Sequence, residues 1–123
     1  MTGDELARLL ADDAVTLLDV RSPEEYSGAT GYPCDPQQGH IKGATNIPLD
    51  ELQFDVSAVV ARLDASRPVV AYCHSGQRSE IAAALLQSAG LDATNYEGSW
   101  HEWSRRDLAG GGTSRAEPGP APA

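Results

Sequence analysis

The sequence predicts a single α/β domain built on a mainly parallel central sheet, with helices on both faces of the sheet. The chain has 123 residues, which is the length of one domain. Short apolar runs, of the kind found in strands buried on both faces, alternate along it with segments of helical character. Strands that alternate with helices in this way form parallel sheets covered by helices.

Four apolar runs are the predicted strands. Each is four to six residues long, which is short for a helix and ordinary for a strand. The runs are Val15–Val20, Ala44–Ile47, Val69–Tyr72 and Ala93–Tyr96.

Five segments are predicted to be helices, and four of them share one starting pattern. A cap residue is followed three positions later by a carboxylate or amide side chain, as in a capping box. The four pairs are Thr2 with Glu5, Ser22 with Glu25, Asp50 with Gln53, and Ser99 with Glu102. In the third helix, apolar residues at helical spacing continue to Leu63, so one helix is expected there. The fifth helix ends at Gly90.

The composition limits the partners and the location of the protein. Its formal net charge is −9, which disfavours binding to nucleic acid or to an anionic membrane surface. The chain has no apolar run long enough to span a membrane, and its N-terminal residues lack a signal-peptide pattern. A cytoplasmic location is therefore expected. We assign the folded domain to residues 1–108 and predict that the segment 109–123, rich in Gly, Pro and Ala, is disordered.

The stretch AYCHSGQRS, residues 71–79, carries the strongest chemical signal. It joins a predicted strand to the predicted fifth helix, and ligands of open parallel sheets bind beyond the carboxyl ends of the strands. Free N–H groups at a helix start favour negative charge, as do Arg78 and, when it is protonated, His74. Gly76 allows the backbone to curl around a hollow. Cys73 is therefore predicted to be a thiolate nucleophile held in a small anion cradle.

Four segments, over roughly residues 4–108, resemble the rhodanese family of sulfurtransferases, which carry sulfur as a cysteine persulfide. They are LLDVRSPEEY (17–26), GHIKGATNIP (39–48), CHSGQRS (73–79) and ATNYEGSWHEW (93–103). These are similar to the family's first strand and turn, its GHIPGAxNIP segment, its CxxGxRS active loop and its C-terminal pattern. Lys42 stands where the family usually has Pro. The resemblance is greatest to the catalytic half of two-domain thiosulfate and mercaptopyruvate sulfurtransferases, and it implies a rhodanese-like single domain.

The length of the cysteine loop bears on which group the cradle holds. Cysteine phosphatases and arsenate reductases have a similar cradle with five residues between Cys and Arg, whereas four residues separate Cys73 from Arg78. The shorter ring is expected to hold a single terminal sulfur better than a tetrahedral phosphate. The comparison favours a persulfide and makes a phosphatase the weaker alternative.

The resemblance implies a role for each residue of the active loop. Cys73 attacks the outer sulfur of thiosulfate, sulfite leaves, and the persulfide passes its sulfur to cyanide or to a thiol. Backbone N–H groups of residues 74–79 stabilise the negative charge, as in an oxyanion hole. Arg78 is expected to face the substrate anion or to close the loop, and His74 either tunes the thiolate or is an exposed bystander. The active loop comprises His74, Ser75, Gly76, Gln77, Arg78 and Ser79.

Three further residues are expected to support the site. Asp19 and Arg21, at the end of the first predicted strand, are interpreted as a structural ion pair. Trp100 is interpreted as core and pocket wall, with a position at the pocket entrance as the alternative. His40 is expected to have a structural role. Histidines and cysteines show no metal-ligand spacing, so neither a metal nor a cofactor is predicted.

Cys34 and the partners of the reaction are left open by the sequence. Cys34 is either an incidental exposed cysteine or a resolving thiol that forms a disulfide with Cys73, and intact-mass analysis after mild peroxide distinguishes the two. Besides a thiosulfate sulfurtransferase, the sequence allows a persulfide carrier between protein partners and, less favoured, a non-catalytic binding module. The expected partners are a small anionic sulfur donor, a thiol or cyanide acceptor, and a possible protein donor or acceptor.

Overall fold

The computed structural model describes residues 1–106 and 116–117. Helices and strands alternate along most of the chain, as predicted. In chain order the elements are α1 (Gly3–Ala11), β1 (Thr16–Asp19), α2 (Pro23–Ser27), β2 (His40–Ile41), β3 (Thr45–Asn46), α3 (Leu49–Phe54), α4 (Val56–Val60), β4 (Val69–Tyr72), α5 (Gln77–Ser88), β5 (Ala93–Asn95), α6 (Ser99–Arg106) and β6 (Ala116–Glu117).

The central sheet has four strands in the order β3-β1-β4-β5, and every neighbouring pair is parallel. Leu18 of β1 lies between Thr45 and Ala71, and Ala71 lies between Leu18 and Asn95. Each of the four strands lies within a predicted run: β4 has the predicted bounds, and the other three strands are shorter than predicted. The predicted α/β class with a mainly parallel sheet is therefore confirmed, and the carboxyl ends of the strands meet at one edge.

Two apolar layers enclose the sheet. Alternate residues of a strand point to opposite faces, so β4 contributes Val69 and Ala71 to one layer and Val70 and Tyr72 to the other. Helices α3, α4 and α5 complete the first layer, and helices α1 and α6 complete the second. Helices on both faces leave β4 fully buried, as its unbroken apolar sequence predicts.

Two of the four predicted capping boxes are confirmed. The Thr2 hydroxyl accepts a hydrogen bond from the Glu5 N–H at 3.1 Å, and the Glu5 carboxylate accepts one from the Thr2 N–H. Ser22 and Glu25 make the same reciprocal pair at the start of α2. Each box satisfies N–H groups that the first turn of a helix leaves free.

The predicted start at Asp50 and the single helix after it are wrong. Helix α3 begins at Leu49 after Pro48, with no side-chain cap, and it ends at Phe54. The next residue, Asp55, has a non-helical backbone, and its side chain accepts a hydrogen bond from the Ala58 N–H at 3.1 Å. Asp is a favourable N-cap residue, so a new helix begins after Asp55. The apolar residues that were expected on the face of one helix therefore belong to a segment with two short helices.

The predicted capping box at Ser99 is also wrong. Ser99 has a φ of 52°, and its hydroxyl donates to the Tyr96 carbonyl and accepts from the Cys73 N–H. The Glu102 carboxylate accepts instead from the Tyr96 hydroxyl at 2.7 Å. Ser99 therefore fixes a turn against the cysteine loop, and this tertiary contact replaces the local cap.

The described residues include one pair of strands that was not predicted. Strand β2 pairs antiparallel with β6, so that His40 lies opposite Glu117. Residues 116–117 belong to the segment predicted to be disordered, and there the structure differs from the prediction. The rest of the segment 109–123, and residues 107–108 of the predicted domain, lie outside the described residues. None of the described helices is long and apolar enough to cross a membrane.

A buried ion pair lies at the carboxyl end of β1. The side chains of Asp19 and Arg21 are 0 % and 2 % exposed, and the Arg21 Nη2 atom lies 2.6 Å from the Asp19 carboxylate. Tyr72, at the end of β4, donates its hydroxyl to the same carboxylate at 2.7 Å. Arg21 Nη2 also donates to the Gly39 carbonyl, and the Tyr72 hydroxyl accepts from the Ile41 N–H. This network ties two central strands to the segment that holds β2.

We expect Asp19→Asn to destabilise the protein by about 3 kcal/mol or more, because it leaves the Arg21 charge buried without a carboxylate partner. Urea denaturation measures the change in the free energy of unfolding. The matched control is Glu51→Gln, which makes the same carboxylate-to-amide change in the exposed ion pair with Arg62 and should cost less than about 1 kcal/mol. Equal costs for the two variants would contradict a dominant role for the buried pair.

Candidate active site

Cys73 lies directly after β4, at the edge where the carboxyl ends of the strands meet. It is 1 % exposed. Its carbonyl accepts a hydrogen bond from the Trp100 N–H, and the His74 carbonyl accepts one from the His101 N–H, both at 2.9 Å. The first turn of α6 thus binds the carbonyl groups of the cysteine loop and leaves the loop's N–H groups to face the sulfur.

Two groups of the loop donate hydrogen bonds to the Cys73 sulfur. The Gly76 N–H lies 3.1 Å and the Ser79 hydroxyl 3.3 Å from Sγ. The Ser75 N–H also stabilises the thiolate. These groups form the ring of donors that the sequence predicts for an anion at this position.

Gly76 is required by the shape of this ring. Its φ of 95° lies in the left-handed region, and a Cβ atom there would lie 2.6 Å from the Glu97 carbonyl oxygen. Only glycine combines that backbone conformation with so close an approach. Its carbonyl accepts from the Asn95 side chain at 3.1 Å, which holds the loop against the end of β5.

The pKa of the Cys73 thiol is lowered by this environment. Burial by itself raises the pKa, since it disfavours the charged form, but the hydrogen bonds outweigh it. The largest of them comes from the Ser79 hydroxyl, and backbone N–H groups of Ser79, Gly76 and Ser75 add to it. The thiolate that a nucleophile requires is thereby favoured.

Arg78 closes the loop through an ion pair that the sequence analysis missed. Its Nη1 and Nη2 atoms donate to the two carboxylate oxygens of Glu25 at 2.8 and 3.0 Å. Partial burial favours the neutral form of Glu25, but hydrogen bonds from Arg78 and its charge lower the pKa of Glu25 to about 2. Glu25 was interpreted only as part of a helix cap, so its second role had no separate signal in the sequence.

His74 is buried rather than exposed, so its interpretation as an exposed bystander is wrong. Its ring stacks on Tyr32 at 3.6 Å between centroids, and its Nε2 atom lies 2.8 Å from the Asp35 carboxylate. Asp35 is itself buried and comes from the loop before β2. His74 therefore anchors this loop beside the cysteine.

The adjacent residues Cys34 and Asp35 come together with His101, which is distant from them in the sequence. One ligand-type atom from each lies within 4.8 Å of the other two. The guanidinium of Arg105 already lies there, because its Nη1 atom is 3.0 Å from the Asp35 carboxylate and 3.2 Å from the His101 Nδ1 atom. A metal ion would have to displace this cation, so the cluster is built around an arginine. Cys34 is exposed and free, and its role as a resolving thiol stays a hypothesis.

The supporting residues lie behind the loop. Asp19 and Arg21 form the ion pair expected of them. Trp100 is fully buried, so the alternative that places it at the pocket entrance is wrong; its Nε1 atom donates to the Gln37 carbonyl, and its ring lies under Arg21. His40 stacks on Tyr26 and bonds to the Tyr26 carbonyl.

The remaining residues of the active loop differ in their exposure to solvent. Ser75 and Gln77 are exposed, whereas Ser79 is fully buried between the Cys73 sulfur and Asn95. Ser79 was predicted only as a member of the active loop, and Asn95 was not predicted as a site residue. The position of Asn95 at the carboxyl end of a strand is the signal that could have found it.

Comparison with known proteins agrees with this architecture. The model of the rhodanese-like domain family matches residues 2–106. A protein from Haloferax volcanii named "Putative thiosulfate sulfurtransferase" is 39% identical over 110 residues, which cover 75% of this chain and 38% of that protein. The chain therefore spans less than half the length of this relative.

Two solved structures have the same fold. A crystal structure described as "Probable Thiosulfate Sulfurtransferase" is 43% identical with a TM-score of 0.76, over 87% of this chain and 45% of that one. The human single-domain sulfurtransferase TSTD1 is 32% identical with a TM-score of 0.65, over 84% of this chain and 92% of that one. This chain belongs to the rhodanese-like domain family, and the resemblance inferred from its motifs is confirmed.

We expect Ser79→Ala to raise the pKa of Cys73, because it removes the largest of the hydrogen bonds that stabilise the thiolate. A higher pKa leaves less thiolate near neutral pH, so alkylation by iodoacetamide should slow there and recover at high pH. The pH dependence of the alkylation rate measures the shift.

Ser75→Ala is the matched control for that measurement. Ser75 is exposed and acts on the sulfur through its backbone N–H, which alanine keeps. Its alkylation profile should coincide with that of the wild type. An unchanged profile in Ser79→Ala would show that the side-chain hydrogen bond does not control the thiol.

Proposed function

We propose that this chain is a sulfurtransferase that carries sulfane sulfur on Cys73 as a persulfide. The observation that carries the proposal is the buried Cys73 sulfur with its ring of N–H and hydroxyl donors. Such a ring stabilises negative charge on sulfur and supplies no group that would protonate a leaving alcohol. The family of the chain and the sulfurtransferase names of its relatives support the same reaction.

We propose thiosulfate, or a similar sulfane donor, for the first half of the reaction, which is written here for thiosulfate. The Cys73 thiolate attacks the outer sulfur of thiosulfate, a new S–S bond forms, and the old S–S bond breaks with its electron pair going to sulfite. The negative charge moves from Sγ to the terminal sulfur of the persulfide. The Gly76 N–H and the Ser79 hydroxyl are placed to stabilise the charge in both states.

The second half returns the enzyme to its starting state. Cyanide or a thiolate attacks the terminal sulfur, and the electron pair of the persulfide bond returns to Sγ of Cys73. With cyanide the product is thiocyanate. The steps need only the cysteine, the donor and the acceptor, so the proposal includes no cofactor.

A persulfide carrier that passes sulfur between protein partners is the second candidate. It uses the same Cys73 and the same donor ring. The pairing of Arg78 with Glu25 favours this candidate, because Arg78 is not free to bind a small anion. Slow turnover with thiosulfate and cyanide, together with fast sulfur uptake from a protein persulfide, would place the carrier first.

Mass spectrometry of the intact protein after treatment with thiosulfate tests the proposal. We expect a gain of one sulfur atom, about 32 Da, which cyanide removes. Cys73→Ser should gain nothing, whereas Cys34→Ser should gain sulfur as the wild type does, since Cys34 is exposed and lacks the donor ring.

A gain that survives in Cys73→Ser would contradict the assignment of the persulfide to this residue. If the wild type gains no sulfur from thiosulfate, the same experiment with a protein persulfide as donor decides between the carrier and a protein without sulfur chemistry.

A further inference from the structure

A cavity of about 350 Å³ opens next to the cysteine loop, on the side of Arg78. Residues from α2, from the loop after it and from α5 line it: Ser22, Glu25, Thr30, Gly31, Tyr32 and Arg78. Tyr32 also stacks on His74, the neighbour of the nucleophile. Cys73 does not itself line the cavity; Arg78 and the stack of Tyr32 on His74 connect the cavity with the cysteine loop. We consider it as the space for the part of a sulfur donor that leaves after attack by Cys73.

Arg78 is the cation of this cavity, and Glu25 already neutralises it. Both Nη atoms of Arg78 donate to the Glu25 carboxylate, at 2.8 and 3.0 Å. The pKa of Glu25 is about 2, so its negative charge is present throughout the neutral range. Glu25 is only 13 % exposed in its side chain, so solvent screens the pair incompletely.

The Glu25 carboxylate weakens the binding of sulfur donors that carry two negative charges. A dianion such as thiosulfate that enters the cavity finds the attraction of Arg78 cancelled by the negative charge of Glu25. A donor with one negative charge or none loses about half of that attraction or less. Attraction from the loop N–H groups is shared by both classes, because it acts on the transferred sulfur.

We infer that Glu25 is a specificity-determining residue that selects against dianionic sulfur donors and favours organic sulfane donors of lower charge, such as thiosulfonates and persulfides of thiols. This inference rests on the proposed persulfide function. Glu25 acts through Arg78 and through its own field, so it is a positioning residue and takes no part in bond formation.

Two donors with the same chemistry and different charge test the inference. Thiosulfate carries two negative charges and releases sulfite, whereas an alkanethiosulfonate carries one and releases a sulfinate. In both, the Cys73 thiolate takes the terminal sulfur and the electron pair of the broken S–S bond leaves with the oxidised sulfur group. The second-order rate constant for release of sulfite or sulfinate is measured for each donor, and the ratio of the two constants cancels any change in thiolate fraction.

Glu25→Gln is the main variant, and Glu24→Gln is its matched control. Glutamine at position 25 keeps the reach and the capping-box geometry with Ser22 while removing the charge. Glu24 is the neighbouring residue of the same helix and is exposed, so its change to glutamine removes the same charge away from Arg78.

Glu25→Gln should raise the rate constant about tenfold for thiosulfate and about threefold for the thiosulfonate, since the interaction scales with donor charge. The difference should shrink as the salt concentration increases. Glu24→Gln should change the ratio of the two constants less than about twofold. A ratio in Glu25→Gln equal to that of Glu24→Gln would overturn the inference.

A second pair of variants tests the inference if Glu25→Gln folds poorly. These are Arg78→Gln alone and Arg78→Gln combined with Glu25→Gln, and the same ratio of rate constants is measured for both. Arg78→Gln leaves Glu25 without its counter-charge, so thiosulfate should be disfavoured further relative to the thiosulfonate. The double variant restores a neutral cavity, and its ratio should return toward that of the wild type. A double variant as selective as Arg78→Gln alone would instead show that Arg78 binds the dianion directly.

Failure of the proposed function and failure of this inference give different results. If wild type forms no persulfide with either donor, the proposed function fails. If a persulfide forms with both donors and the ratio does not respond to Glu25, only the inference fails.

Discussion

The Asp19 carboxylate is the contact on which the arrangement of the molecule depends. It accepts hydrogen bonds from the backbone and guanidinium of Arg21 and from the hydroxyl of Tyr72. These donors come from the turn after β1 and from the last residue of β4, and Arg21 and Tyr72 in turn hold Gly39 and Ile41. A buried carboxylate with this many donors is well satisfied, and removal of any one donor leaves charge or polarity unpaired in the core.

That network determines where Cys73 lies. Tyr72 immediately precedes Cys73, so fixing the Tyr72 side chain on one face of the sheet fixes the chain direction into the cysteine loop. The loop then curls through Gly76 and returns its N–H groups to the sulfur. Two adjacent residues therefore have different roles: Tyr72 binds the buried network of the core, and Cys73 carries the sulfur that the loop's donors surround.

Local signals explain which parts of the fold could be predicted from sequence. The strands were found because β4 and its neighbours are short apolar runs, and the starts at Thr2 and Ser22 were found because their capping boxes are complete within four residues. The cap at Asp55 was missed because apolar residues continue at helical spacing on both sides of it. Only the backbone conformation of Asp55 shows that one helix ends and another begins there. Ser99 was misread because its hydroxyl binds Cys73 rather than its own helix.

In the candidate site, too, contacts within one segment were predictable and contacts between distant segments were not. Cys73, Gly76 and Ser79 lie within one loop, so their proximity follows from spacing and from the strand that precedes them. The partners of the loop come from distant segments. Glu25 binds Arg78 across 53 positions and Asp35 binds His74 across 39, and neither pairing has a periodicity that a single sequence reveals. Charges within the loop were predictable, whereas their neutralisation depends on tertiary structure.

The hydrogen bonds between α6 and the cysteine loop have a consequence for how the protein folds during its synthesis. Its first N–H groups bind the carbonyls of Cys73 and His74, and Ser99 binds the Cys73 N–H. These residues follow the nucleophile by more than twenty positions, so a ribosome delivers Cys73 well before the helix that orients its peptide groups. The nascent thiol lacks this support until the segment after β5 has left the exit tunnel. The contacts that orient the cysteine loop are thus completed late, when nearly all of the described domain is already available to fold.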